Sequence, residues 1–461
     1  MRTGKMTLNE IIDANKDNIV QTLREVIRIP SVQGTPEEGA PYGKEVRNAL
    51  DYMLDKANEL GLHTVNFDGQ VGYAEYGKGE LVAVVAHLDV VPAGDGWIHD
   101  PFGGELEENA VFGRGAVDDK GPAVASLYAL HAVKESGLKI NRRIRVMFGT
   151  NEETGSGDME YFFGHGGEQP VMGFTPDGSY PLIYGEKGIV IEEIKKSYAQ
   201  DGAQARLLEI KGGTAHNVVP SKAHAIIECT EELAKELEKC GGEGVSIIRT
   251  ENGVRIDAEG VSAHGSTPEK GVNAIGRLIN ALKDIPFAKE LAEGIRFIND
   301  KIGMQTNGEN LGINLKDNIS GELVLNLGTI EGDENEFVFG VNYRYPVTCR
   351  IEECAPLFND AFSNAGFSVI SQIHEPALYV DPSSKLVSTL MDVYKEQTGL
   401  DGEPFCIGGG TYAKSVNNIV AFGPVFPGDP DREHKAEECI EVDNLMANAR
   451  VYANAMYALA K

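Results

Sequence analysis

Cysteine is scarce in this chain. Six occur in 461 residues (Cys229, Cys240, Cys349, Cys354, Cys406 and Cys439), none in a CxxC pair or a zinc-ribbon spacing. That excludes a disulfide scaffold and a thiolate metal site, and predicts free thiols in a reducing compartment. Positive charge is also short, with 42 Lys and Arg against 70 Asp and Glu and a formal net charge of −28. Such a surface repels phosphate backbones and anionic leaflets, which argues against nucleic-acid and membrane partners. No apolar run approaches the ~18 residues needed to span a bilayer. The opening segment MRTGKMTLNEIIDANKDNIV has neither an apolar h-region nor a cleavage pattern, so it does not read as a signal peptide. The expected location is the cytoplasm.

A chain of 461 residues exceeds one ordinary core and predicts two domains. Apolar residues at helical spacing (Ile11, Ile12, Ile19, Leu23, Val26, Ile27) predict a helix over Leu8 to Ile29, stopping before Pro30. A second is expected over Tyr42 to Leu60 with Gly61 at its C-terminal end, and others over Gly121 to Glu135, Lys385 to Gln397 and Val442 to Ala460. The wholly apolar run Leu81 to Ala86 suits a strand buried on both faces. Arg142 to Thr150, Val171 to Thr175 and Asn418 to Phe422 also read as strands. Strands alternating with helices imply an α/β fold with a mostly parallel central sheet flanked by helices. The stretch 186–382 differs, with more polar residues and alternating segments, and reads as an inserted α+β domain. The expected domains are 1–185 with 383–461, and 186–382 as the insert.

The insert holds an internal repeat. Gly212, Thr214, Ala215, His216, Pro220 and Lys222 recur 48 residues later as Gly260, Ser262, Ala263, His264, Pro268 and Lys270. This predicts two related halves arranged about a pseudo-twofold.

Acidic and imidazole groups are concentrated in five segments: His87-Leu88-Asp89, Asp118-Asp119, Asn151-Glu152-Glu153, Pro176-Asp177-Gly178, and Asp429 to His434. A lone acidic pair is usually solvated surface, and a strand-end Asp often caps the next helix. Here His87, Glu152, Glu153 and Asp177 lie one to three residues beyond expected strand ends. In open α/β sheets, ligand sites form outside those ends. Two imidazoles and several carboxylates without a thiolate suit zinc, manganese or cobalt. Two cations about 3.5–4 Å apart need a shared carboxylate. Remaining acids could act as a general base or orient an imidazole.

The segments HLDVVPAGDGW (87–97), DPFGGEL (100–106), GRGAVDDKGP (113–122), GTNEETG (149–155), PDGSYP (176–181), GGGTYA (408–413) and FPGDPDREH (426–434) resemble the co-catalytic zinc metallopeptidases. That group includes aminoacylase, glutamate carboxypeptidase and succinyl-diaminopimelate desuccinylase, and the likeness is greatest to the PepV-type bacterial dipeptidases. The resemblance implies a first metal on His87 and Asp177, a second on Glu153 and His434, and Asp118 bridging both. It implies a cis Asp118–Asp119 peptide, Asp89 orienting His87 through a hydrogen bond, and Glu152 as general base. It further implies an oxyanion donor in His264, with His216 as the lesser candidate. Substrate contacts would come from Asn217, Arg344, Gly409, Gly410 and Thr411. The implied activity is hydrolysis of short peptides, above all dipeptides with a free carboxylate, by a monomer. The alternatives are an N-acyl-amino-acid amidohydrolase and an inactive binding homologue.

Overall fold

The computed structural model describes residues 6–461. The chain forms two compact units. One runs through Gly185 and resumes over Val380–Phe405 and Gly410–Lys461; the other comprises Glu186–Tyr379 and Cys406–Gly409. The continuous 383–461 segment expected from the sequence is thus interrupted. Cys406–Gly409 belongs to the insert because the Lys187 amide donates to the Ile407 carbonyl (3.0 Å) and the Arg344 guanidinium donates to that of Gly408. Val380 to Pro382 falls in the first unit instead.

The centre of the first unit is the strand Leu81–His87, buried at every position. It pairs in parallel with Arg143–Gly149 on one side and Met172–Thr175 on the other, and Ile419–Ala421 continues in parallel beyond Met172–Thr175. Antiparallel strands flank this core, Val71–Tyr76 and His63–Phe67 at one edge and Ile183–Glu186 at the other. Strands covered on both faces need no polar alternation, which is why Leu81 to Ala86 is apolar throughout. The helix Lys120–Ser136 is buried almost all round. It packs on the sheet and against the helices Leu8–Ala14, Lys16–Ile27 and Val442–Ala460, within one continuous apolar core.

The single helix expected from Leu8 to Ile29 is two, broken at Asn15. The Asn15 side chain donates to the Ile11 carbonyl at 2.9 Å, which offers the backbone an alternative to the helical ladder. A capping box between Thr7 and Glu10 starts the first helix.

From Leu81–His87 the chain crosses to Arg143–Gly149 on one side, then returns past its start to Met172–Thr175 on the other. That reversal opens a crevice at the carboxyl ends of these strands. A second device adds to the same unit. The short strand Ala110–Phe112 pairs antiparallel with Cys439–Glu441, Phe112 opposite Cys439. The loop leaving Phe112 and the segment entering Cys439 therefore share one end of that ladder.

The second unit holds, among the described residues, an eight-stranded sheet paired antiparallel throughout. Its order along the sheet is Val245–Thr250, Gly253–Glu259, Lys222–Cys229, Ala205–Gly212, Val324–Gly332, Glu336–Tyr345, Gly188–Ser197, Ser368–Glu375. The last four strands, with helices Lys289–Lys301 and Ala355–Asn364, follow the chain order β-α-β-β-α-β. The first four, with helices Glu231–Leu237 and Ala274–Leu282, show the same arrangement permuted, since the strand in the fourth role precedes the one in the first. Two like halves are thus present. They repeat in one direction along the sheet, however, so the expected pseudo-twofold does not describe them.

The sequence repeat does not mark corresponding turns of these halves. Its first copy joins two strands, and its second joins a strand to the helix Ala274–Leu282. The copies instead bond to each other: Val219 donates to the Ala263 carbonyl at 2.8 Å and Gly265 to that of Asn217 at 2.7 Å. Among the described residues, no helix is long and apolar enough to cross a membrane.

Candidate metal centre

Four of the segments singled out by sequence converge at the crevice of the first unit, and the fifth arrives through the small sheet. His87 ends its strand with a fully buried ring. Its Nδ1 lies 2.9 Å from the Asp89 main-chain carbonyl. A carbonyl only accepts, so Nδ1 carries the proton and the Nε2 lone pair points outward. The Asp89 carboxylate is farther from Nδ1, at 3.6 Å, so Asp89 accepts from His87 through its main chain. The carboxylate accepts the amide N–H groups of Glu152 and Glu153 instead, each at 3.1 Å. Asp89 thereby fixes the turn after Arg143–Gly149.

Asp118 sits between the two imidazoles. Its Oδ1 is 3.0 Å from His87 Nε2, and its Oδ2 is 2.9 Å from His434 Nε2. Glu153 Oε2 approaches the same His434 nitrogen at 3.1 Å, and Asp177 Oδ2 lies 3.9 Å from His87 Nε2. Ligand-type atoms of His87, Glu152 and Asp177 fall within 4.8 Å of one another, as do those of His87, Asp118 and Glu153. The Asp118–Asp119 peptide is cis. Asp119 accepts the His87 amide at 3.0 Å.

The electrostatics of this cluster demand positive charge. Burial, reinforced by Asp177, holds the Glu152 carboxyl well above the usual range; burial and Asp118 raise Glu153. Burial would raise Asp118, but the two imidazoles at its oxygens, His434 and His87, outweigh it and hold the carboxyl below its usual range. The Asp118 and Glu153 carboxylates push His434 up to about 11. Glu152, Glu153 and His434 hold protons that a cation would replace. The buried Glu153 Oε1 has no hydrogen-bond partner within the protein. With no thiolate in the cluster and carboxylates facing both imidazoles, these residues fit a divalent-metal site.

Several residues of this site were missed by reading the sequence. Glu433 is pushed up to about 8 by burial and by Asp118 and Asp177. Asp158 is fully buried and accepts the Thr150 amide (2.6 Å) and the Tyr412 hydroxyl (2.5 Å), bracing the Glu152 turn. Arg114 and Glu438 form a buried ion pair at 2.6 Å. The available signal for Glu438 was its place four residues after His434, which is weak by itself.

The expected lid residues lie in the second unit. His264 Nδ1 accepts the Ser266 amide at 3.3 Å and lies 2.6 Å from the Ser266 hydroxyl, which leaves the ring proton on Nε2. His216 Nε2 lies 3.5 Å from Glu193. Arg344 is buried and donates to Asn342 at 3.0 Å. The Gly-Gly-Gly-Thr run straddles the boundary, Gly408 and Gly409 in the second unit, Gly410 and Thr411 in the first. The Thr411 hydroxyl is already engaged, accepting the Ala413 amide at 3.1 Å.

The family model described as Peptidase family M20/M25/M40 matches residues 83–458, which spans the strand-end cluster, the insert and His434. The chain belongs to this peptidase family. Among its relatives, the Bacillus subtilis (strain 168) protein named "Putative dipeptidase YtjP" is 37% identical over 462 residues, covering 97% of this chain and 98% of the relative. Among solved structures, the Saccharomyces cerevisiae di-peptidase Dug1p has a TM-score of 0.59 at 16% identity, covering 100% of this chain and 99% of that one. Human carnosine dipeptidase 1 has a TM-score of 0.57 at 18% identity, covering 98% and 99%. At these identities the two structures establish the shared fold.

Proposed function

We propose that this peptidase hydrolyses dipeptides with a free C-terminal carboxylate, using two divalent cations held by His87, Asp177, Glu153 and His434 and shared through Asp118. The observation that carries this reading is the Asp118 carboxylate, whose two oxygens each meet a different imidazole at 3.0 and 2.9 Å. Zinc suits the donor set, and manganese or cobalt would also be accepted by it. Such a pair of cations, when bound, acidifies water and polarises the scissile carbonyl.

The chain's own groups divide the remaining work. Glu152 is the general base, since its carboxylate lies beside the His87 and Asp177 ligand atoms, within 4.8 Å of them. It takes the proton of the attacking water and returns it to the leaving amine. His264 presents an Nε2–H as donor to the developing oxyanion. Arg344 pairs with the substrate carboxylate through its planar fork, with Asn217 and the amides of Gly409, Gly410 and Thr411 as further contacts. The relatives named as dipeptidases support a short substrate. The six free cysteines suit a reducing cytoplasm. We assign a monomer.

The test is turnover of Ala–Ala, β-Ala–His and Gly–Leu beside N-acetyl amino acids, after the metal is stripped and each ion restored separately. Dipeptide turnover that returns with metal supports the reading. Turnover of acylated amino acids alone makes the protein an amidohydrolase. Metal binding without turnover of either class makes it an inactive homologue.

A further inference from the structure

Arg114 and Glu438 contribute nothing to the steps above, yet their side chains are nearly sealed from solvent, at 2% and 0% exposure. Glu438 Oε2 accepts from Arg114 Nη1 at 2.6 Å, while Oε1 accepts the amides of Val117 (2.9 Å) and Asp118 (3.2 Å). Its main-chain carbonyl accepts the Gly113 amide at 2.9 Å. Arg114 also donates to the carbonyls of Lys435 (3.2 Å) and Ala93 (3.1 Å), and lies over the Trp97 ring at 5.4 Å.

One buried pair thus ties together three stretches of chain. The first follows His87 and Asp89, the second carries Asp118, and the third carries His434. A buried ion pair is a poor stabiliser of a fold, because desolvation offsets the attraction. Its value here is geometric. A shared carboxylate must aim both oxygens at once, and its direction is set by the backbone at 117–118, whose amides Glu438 holds. Arginine suits the place because its fork reaches acceptors on separate segments, whereas a lysine is a single point charge.

We propose that Arg114 and Glu438 are positioning residues that aim the Asp118 carboxylate and so set the affinity for the cation pair. This rests on Asp118 being the shared ligand. It assigns the pair a role in metal loading beyond holding the fold.

The test uses the full-length protein with Glu438→Gln and, separately, Arg114→Lys. Circular dichroism in the near and far ultraviolet establishes folding. Competition with a chromophoric chelator gives the affinity for Zn2+, elemental analysis gives ions per chain, and Co2+ absorption reports coordination geometry. Both variants should stay folded and lose about 10–100-fold in affinity for the weaker-held ion. The Co2+ spectrum should change, and kcat should fall with KM for the dipeptide unchanged and recover in part at saturating metal. Wild-type affinity, stoichiometry and Co2+ spectrum in a folded variant would overturn the proposal. Should Glu438→Gln not fold, Arg114→Lys, which keeps the charge, decides alone. Fewer than two ions on the unsubstituted protein would overturn the shared-ligand reading itself, a failure seen before any variant is made.

Discussion

The two imidazoles beside Asp118 are held in opposite ways. His87 ends a central strand, its ring 0% exposed and its tautomer fixed by the Asp89 carbonyl. His434 stands on a loop at φ 59° with its side chain 55% exposed, and both polar contacts of its Nε2 are carboxylates of the cluster. One half of the site is built into the sheet and the other is brought to it. The lesson is that the two halves should load and fail differently, with Asp118 as their shared member.

The most severe test of that contrast is Asp118→Ala. It should reduce bound metal below one ion per chain and abolish turnover, measured by elemental analysis beside the dipeptide assay. Glu152→Ala should separate chemistry from binding. Turnover should drop by about 10²–10⁴-fold, the scale of general acid–base catalysis. Metal content should stay at about two ions per chain, because the carboxylates and imidazoles that hold a two-metal site are untouched. Loss of metal in that variant would make Glu152 a ligand, a role its closeness to His87 and Asp177 also permits. His434→Ala should leave one tightly held ion and a native melting curve, whereas His87→Ala should also lower the melting temperature, because it opens a cavity beneath the sheet rim. Equal behaviour of the two would erase the contrast. The mildest expected effect is Asp89→Asn, which keeps one acceptor for the Glu152 and Glu153 amides. A loss of about 10–100-fold in kcat/KM is expected, the range for groups that orient ligands.

How far the sequence foretold this molecule depends on the kind of signal. Leu81 to Ala86 announced a strand buried on both faces because every residue is apolar, and the acids just beyond such strands gathered as the crossover rule requires. Glu438, Arg114 and Asp158 stayed hidden. Their roles come from contacts between distant segments, and with 70 acidic residues in the chain another buried glutamate has no local mark. The break at Asn15 has no mark in the sequence, since a side chain folding back on its own turn leaves the apolar spacing intact. The repeat around His216 and His264 was visible but misleading. Its six matches describe two loops that bond to each other, while the real duplication of strand and helix order is permuted and leaves little trace in residue identity.

That permuted duplication has a consequence for how the second unit meets other chains. Each four-stranded half built alone would present two bare backbone borders, four in all. Here Ala205–Gly212 and Val324–Gly332 close on one another through Ile210 with Gly332, Lys211 with Glu331 and Gly212 with Ile330. A seam only three residues long thus removes two hazards for unwanted strand addition, and the eight-stranded sheet keeps Val245–Thr250 and Ser368–Glu375 as its borders.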